Sequence, residues 1–294
     1  MKWNALAMVA MCAAAHGARA ADVSVVVSSR NGAFGQALAE IERELGRDRV
    51  QVFDLSSAAR AQLADEILGA APRVLITVGP IATRFAAKNL PQQPTIFCLT
   101  VAAARTGPGT GVPLEVSADE VFRHVRAAVP RARRLSAIYD PTESGAQVEV
   151  ARAAAKRHGL ELHLHPLANR QQASRTVSEA LQDADAVWLL PDRSLSQRET
   201  LQYLLVQSME KRVPVITSFE AVARQGALLA VVPDPVEHGR AAARMARAML
   251  DGAAADKVAA PAVATRTLVN LRTAERIGIK IPDAVLAEAH AVIR

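Results

Sequence analysis

At 294 residues, half of them hydrophobic, the chain is long enough to bury one large core or two medium ones, and its composition shows no long disordered tract. A formal charge of +6, with arginines scattered at helix positions (Arg123, Arg126, Arg131, Arg133, Arg134) and no aromatics interleaved, excludes a nucleic-acid partner. The only cysteines are Cys12 and Cys98, so no disulfide framework staples the fold.

The first twenty residues read as a secretory signal peptide. Lys2 supplies the charge, an apolar stretch runs from Ala5 to Ala15, and Ala18-Arg19-Ala20 is a small-x-small cleavage site. The apolar part is shorter than the roughly 20 residues a membrane span needs. Met11 precedes Cys12 where a lipidation site takes a small residue, so Cys12 is not read as lipidated. Cleavage after Ala20 leaves Cys98 as the sole thiol, and the expected location is periplasmic.

Alternation of strand and helix begins at once. Val23–Val27 is a β-branched run suited to a strand buried on both faces. Phe34, Leu38, Ile41 and Leu45 then fall three or four apart, which is a helix face. Val50–Phe53, Val74–Val78 and Thr95–Leu99 are predicted strands, with helices over Ala58–Leu68 and Ile81–Ala87 between them. The pattern resumes with helix Val116–Val129, strand Leu135–Tyr139, helix Glu143–His158, strand Leu160–His165 and helix Gln171–Leu181. Strand Ala186–Leu190, helix Leu195–Arg212, strands Val215–Thr217 and Ala227–Val232, and helix Val236–Leu250 complete it. This is α/β architecture with parallel sheets wrapped by helices. One sheet would need an improbable number of strands, so two doubly wound lobes are expected.

The glycine- and proline-rich stretch RTGPGTGVP, Arg105–Pro113, is the expected linker between the lobes. It lacks the spacing of a phosphate-binding loop. The expected division is 1–20 signal, 21–114 plus 234–258 for one lobe, and 115–233 plus 259–294 for the other.

Ligands of parallel sheets bind outside the carboxyl ends of the strands. Those ends carry hydroxyls, carboxylates and helix starts: Ser28 and Ser29, Gly79 and Pro80, Thr100, Tyr139 and Asp140 with Glu143 and Ser144, Asp192, Ser218 and Phe219, and Asp234. Free N–H groups and the positive dipole end make a helix start ready to hold an anion. The alternative for each Ser, Thr or Asp is plain helix capping. Phe34, Tyr139 and Phe219 could wall an aromatic ligand, or could equally be helix–sheet packing. His163 and His165 share a face but find no third metal ligand at a recognisable spacing; an edge strand before Pro166 accounts for them.

From Gly111 onward the sequence resembles the substrate-binding proteins of an ABC transporter family that includes tryptophan-binding lipoproteins. The resemblance is carried by GVPLEVS (111–117), IYDPTESG (138–145), DAVWLLPDRSLSQRET (185–200), the run from VPVITSFE to MLDG (213–252) and TLVNLRTAERIGIKIPDAVLAEAHAVI (267–293). It is looser before that, through VLITVGPIATRFA (74–86). The resemblance implies a type I periplasmic binding fold, with two lobes closing on a small molecule about hinge strands. It implies that Val236–Leu250 packs back on the first lobe, and that Tyr139, Asp140, Glu143, Ser144, Pro191 and Asp192 surround the ligand. Asp140 replaces the usual asparagine, and LTVAAARTG lacks the acidic residue that relatives place after the fourth strand.

The expected function is capture of a small polar or aromatic solute and its delivery to a membrane permease, by a monomer without cofactor or metal. A ligand-binding accessory of a membrane sensor is the alternative. An exported enzyme is a further one, although neither a GxSxG elbow nor an HExxH helix is present. N-terminal sequencing of protein recovered from the exported fraction should begin at Ala21; an intact Met1 there would remove the export signal.

Overall fold

The computed structural model describes residues 22–57, 60–100, 109–192, 198–261 and 263–294. The signal segment, Ala58, the 101–104 departure, the first half of the glycine-rich stretch, Arg193 and the expected helix start at Leu195 lie outside the described residues.

Strand β1 (Val23–Val27) is buried along its whole length, and its side chains divide between two faces. Val23, Val25 and Val27 enter one core cluster while Val26 enters another. That is the burial a central parallel strand requires, with helices on both sides. It pairs with β2 (Val50–Asp54) and β3 (Val74–Val78), then β4 (Thr95–Thr100) and β5 (Thr110–Pro113) follow, in the order β2-β1-β3-β4-β5. All these pairings are parallel. Helices α1 (Gly32–Leu45), α2 (Arg60–Gly69) and α3 (Pro80–Asn89) connect the first four strands.

The second sheet has the order β12-β11-β10-β9-β8-β6-β7. Its strands are β6 (Arg134–Tyr139), β7 (Glu161–Pro166), β8 (Ala186–Leu189), β9 (Val215–Thr217), β10 (Leu229–Pro233), β11 (Thr265–Asn270) and β12 (Ala291–Ile293). Helices α4 (Ala118–Ala128), α5 (Pro141–Arg157), α6 (Ala173–Ala180), α7 (Arg198–Lys211) and α8 (Glu220–Gln225) wrap it. On one face Trp188 of β8 meets Phe122 of α4 edge to face, with centroids 5.1 Å apart. On the other, Val187 and Leu189 pack with Val177 of α6 and Leu204 of α7.

Helix α9 (Pro235–Leu250) starts from β10 of the second sheet but is buried on the first. Ala241, Ala242, Ala243, Met245 and Ala246 share a cluster with Ala37, Leu38, Ile41 and Leu45 of α1. Small side chains let the two helices approach closely, and a polar seam borders the contact. Arg240 Nε donates to Glu40 Oε1 at 2.9 Å, and Arg43 makes two further bonds to the same carboxylate. The chain then returns to the second sheet through β11, followed by α10 (Leu271–Ile277) and α11 (Asp283–Glu288).

Three features differ from the sequence expectation. The glycine-rich stretch is not all linker, because Thr110–Pro113 is the fifth strand of the first sheet. Gly111 serves close packing there: a Cβ would lie 2.1 Å from the Phe97 carbonyl oxygen and 2.5 Å from its nitrogen. Strand β11 runs antiparallel to β10, since the chain comes back from the first lobe on the opposite heading. Helix α11 is followed by β12, a short strand parallel to β11 that the sequence reading did not place.

Gly111→Ala should cost about 1–3 kcal/mol of stability by overpacking against backbone. Urea unfolding checks it, and an unchanged midpoint would contradict the close approach.

Candidate functional site

At the carboxyl rim of the first sheet, β1 hands over at Ser28. Its N–H donates to Val78 O at 2.9 Å and its Oγ accepts from the Ala82 N–H at 3.0 Å. Ser28 therefore caps α3 from a neighbouring strand end, and it is buried. Ser29 Oγ accepts from the Asn31 N–H at 3.1 Å, holding the turn into α1. Gly79 has φ +89°, and a Cβ would press on Ser28 Oγ and the Phe34 ring at 2.7 and 2.9 Å, so only glycine fits. Pro80 occupies the first turn of α3, where its missing N–H costs nothing. Thr100 is fully buried, with its hydroxyl 2.9 Å from Thr83 Oγ1, which also contacts Thr77 Oγ1 at 3.0 Å. Thr100 thus joins an internal hydroxyl chain instead of standing at the rim.

At the rim of the second sheet, β6 ends at half-buried Tyr139, which packs on the core. Asp140 caps α5: its Oδ1 accepts from Thr142 N and Oγ1 at 2.8 and 2.6 Å. Glu143 is half-buried and Ser144 buried in the first turn, and both amides donate to Asp140 O. Asp192, just beyond β8, accepts the Asp140 N–H on Oδ2 at 2.8 Å. The two adjacent handovers are thereby stapled together. Ser218 is buried after β9, and Phe219, the N-cap residue of α8, is 40% exposed. On the opposite lobe Ile81, in the first turn of α3, is 39% exposed. Sequence reading passed over Ile81, because nothing in its neighbours marks it as uncovered.

Asp234 serves a different place. It caps α9 by accepting from Val236 N and Glu237 N, and Arg266 of β11 pairs with it at 2.8 Å. Burial pushes its carboxyl up, but Arg266 and the two backbone N–H groups outweigh that and hold it below the ordinary value. Arg266 also donates to Gln36 Oε1 of α1 at 3.2 Å. Asp234 therefore belongs to the crossovers, where the chain passes between lobes near Leu114–Ser117, Pro233–Asp234 and Val258–Thr265.

A cavity of about 350 Å³ sits among these segments, lined in part by Pro113, Ser117, Glu120, Pro233, His238 and Thr265. Glu120 is held at about 2, chiefly by the Arg123 guanidinium, and it accepts from Thr265 Oγ1 at 2.9 Å. No local sequence signal marks this cavity, since its walls come from segments over a hundred residues apart. His163 and His165 lie on β7, the terminal strand of its sheet, and His165 Nε2 is 3.2 Å from Ser136 Oγ. Among the described residues no group of His, Cys, Asp and Glu is arranged to hold a metal ion, and no helix is long and apolar enough to cross a membrane.

Two parallel-dominated sheets joined by three crossovers, each with polar strand ends and helix starts, define a two-lobed type I periplasmic binding fold. The model of the ABC transporter substrate binding protein family matches residues 31–293, and the chain belongs to that family. Solved structures agree on the fold. A ligand-free, open substrate binding protein with adhesive properties from Clostridium difficile superposes with a TM-score of 0.73 at 15% identity, covering 92% of this chain and 98% of that one. An ABC domain from Streptococcus pneumoniae in complex with L-Trp gives 0.62 at 21% identity, covering 92% and 100%. A conserved domain protein from Vibrio cholerae gives 0.64 at 18% identity, covering 93% and 100%. No curated protein matches the chain.

Asp234→Ala should lose about 1–3 kcal/mol through the cap and the stranded Arg266, and Asp234→Asn, which keeps a cap oxygen, should lose less. Because the Asp234 carboxyl is depressed in the folded protein, its contribution is present above the ordinary carboxylate range and is lost as pH falls through its own lowered value. The stability gap between parent and Asp234→Asn, followed by urea unfolding, should therefore close on acidification.

Proposed function

We propose that this is an exported, monomeric solute-binding protein that captures a small polar or aromatic solute between its lobes and delivers it to an ABC permease. The proposed lobes are 21–114 plus 234–258 and 115–233 plus 259–294. The carrying observation is that both sheets present helix starts and polar groups at their carboxyl rims, in a chain of the substrate-binding family. Contacts to both lobes exist only when the gap is shut, so a bound solute favours the closed form by the affinity difference between the two states.

The rims differ in charge, and that supports a solute with two unlike ends. On the first lobe α1 and α3 start without an acid in the first turn; Asn31 gives α1 no side-chain cap, and Ser28 occupies the Ala82 N–H of α3. Their dipole ends suit an anionic or strongly accepting group. On the second lobe Asp140 and Asp192 meet at adjacent strand ends, with Glu143 in the turn that follows, which suits a cationic or donating group. Phe219 and Ile81 offer apolar surface on opposite rims. The L-Trp of the Streptococcus pneumoniae domain combines these features and is a reasonable first solute to test.

Native mass spectrometry of protein purified without denaturation should show a co-purified small molecule. Asp192→Asn keeps an oxygen for the Asp140 N–H while removing charge. It should weaken binding of that molecule more than tenfold, and move the melting temperature of the empty protein by less than about 2 °C. Unchanged affinity in this variant would make Asp192 a staple between β6 and β8 and nothing more.

A further inference from the structure

The turn from β1 into α1 carries one basic side chain, Arg30, between Ser29 and Asn31. Strand β1 lies between β2 and β3, so this turn stands on the carboxyl rim inside the first sheet and not at a sheet edge. Its backbone is held in place. Ser28 extends the pairing to Val78 O, Ser29 Oγ accepts the Asn31 N–H, and a Cβ on Gly35 would lie 2.0 Å from the Arg30 carbonyl oxygen. The Arg30 side chain is 53% exposed, and among the described residues its guanidinium makes no hydrogen bond. Its ion-pair partner is Asp54 at the end of β2, with Nε 3.6 Å from Oδ2, which is too long for a hydrogen bond. Asp54 is also engaged elsewhere, since its Oδ1 accepts from the Ser56 N–H and hydroxyl. By contrast Arg43, Arg49 and Arg73 of the same lobe are hydrogen-bonded to Glu40, Asp22 and Leu250 O.

A guanidinium is always charged and offers five N–H groups in a planar fork, which fits a carboxylate through two parallel bonds. Here the fork adjoins the start of α1, a 14-residue helix with no acid in its first turn and no side-chain cap from Asn31. Charge and helix dipole therefore have the same sign at this point of the rim. Exposed ion pairs hold side chains weakly, so Asp54 leaves the fork able to turn to another partner. On the second lobe Asp140 and Asp192 supply the opposite sign.

We propose that Arg30 sets the class of solute: its guanidinium pairs with a carboxylate of the solute, so the protein selects acids and zwitterions over their uncharged amides. This rests on the reading that the solute is held between the strand-end rims. An amide in place of the carboxylate has no charge, and its NH2 group would face the donors of the fork, so one hydrogen bond is lost as well.

The test uses phenylacetate and phenylacetamide, which share a ring and differ in charge. Their binding to the dialysed full-length protein is followed by saturation-transfer difference NMR. Phenylacetate should bind the parent at least tenfold more tightly than phenylacetamide. Arg30→Gln should weaken phenylacetate more than tenfold and leave phenylacetamide unmoved. Arg30→Lys, which keeps the charge and loses the fork, should fall between parent and Arg30→Gln. Arg47→Gln removes the same charge from the same lobe at the opposite, amino edge, just ahead of β2, and should bind like the parent. The melting temperature of Arg30→Gln should match the parent, because no hydrogen bond is lost. Equal binding of the two probes by the parent, no binding of phenylacetate, or equal losses in Arg30→Gln and Arg47→Gln overturns the proposal. An uncharged molecule that co-purifies with the protein also overturns it while leaving solute capture standing. Arg30-dependent binding of phenylacetate with no solute recovered upholds the Arg30 pairing and counts against solute capture.

Discussion

Helix α9 begins on one sheet and is buried on the other, and the rest of the architecture follows from that. Its alanine face matches α1 closely enough to place Ala241 to Ala246 in the core of the first lobe. The chain must therefore cross between lobes to reach it and cross again to return. A single crossover at Leu114–Ser117 would leave the lobes tethered but free. Three adjacent crossovers restrict them to a hinge, since bending all three together is the motion that preserves both cores. The antiparallel entry of β11 beside β10 is a direct consequence, because the returning chain arrives from the far side.

The strand-end residues serve first as helix caps. Parallel strands deliver their polar termini and the next helix start to one edge of the sheet. Each helix start needs its first N–H groups satisfied. Ser28, Asp140 and Asp234 do this with short side chains that need no ligand. The Asp192–Asp140 link goes further and fixes two neighbouring helix starts relative to one another. Unlike that pair, Thr100 has been drawn inward, and its hydroxyl is used by Thr83 and Thr77 to satisfy buried polar groups between β3, β4 and α3.

The hinge is polar in a way the cores are not. Asp234, Arg266, Gln36, His238, Glu120 and Thr265 bond across segments distant in sequence. Such bonds are directional and can exchange partners at modest cost, whereas apolar cores resist rearrangement. The chain thus places directional contacts where it crosses between the lobes.

Sequence alone marked most strands and helices up to α9, because β-branched runs such as Val23–Val27 and helical spacings such as Phe34 to Leu45 are local signals, but it placed neither β5 nor the strands β11 and β12. The family resemblance carried the two-lobed fold further than periodicity could. What the tertiary structure decided is which strand ends are rim and which are interior, and where the chain crosses. Thr100 and Ser28 look alike in sequence, yet one is sealed in a hydroxyl chain and the other caps a neighbouring helix. Thr110–Pro113 reads as a loop because Gly111 is there to let a backbone come close, and closeness to Phe97 is a fact about two strands at once. His238 reads as a helix residue like its neighbours; its contact with Pro113 exists only after two remote segments have met. Local periodicity encodes elements, but contacts between distant segments are set by packing, and the hinge consists of such contacts.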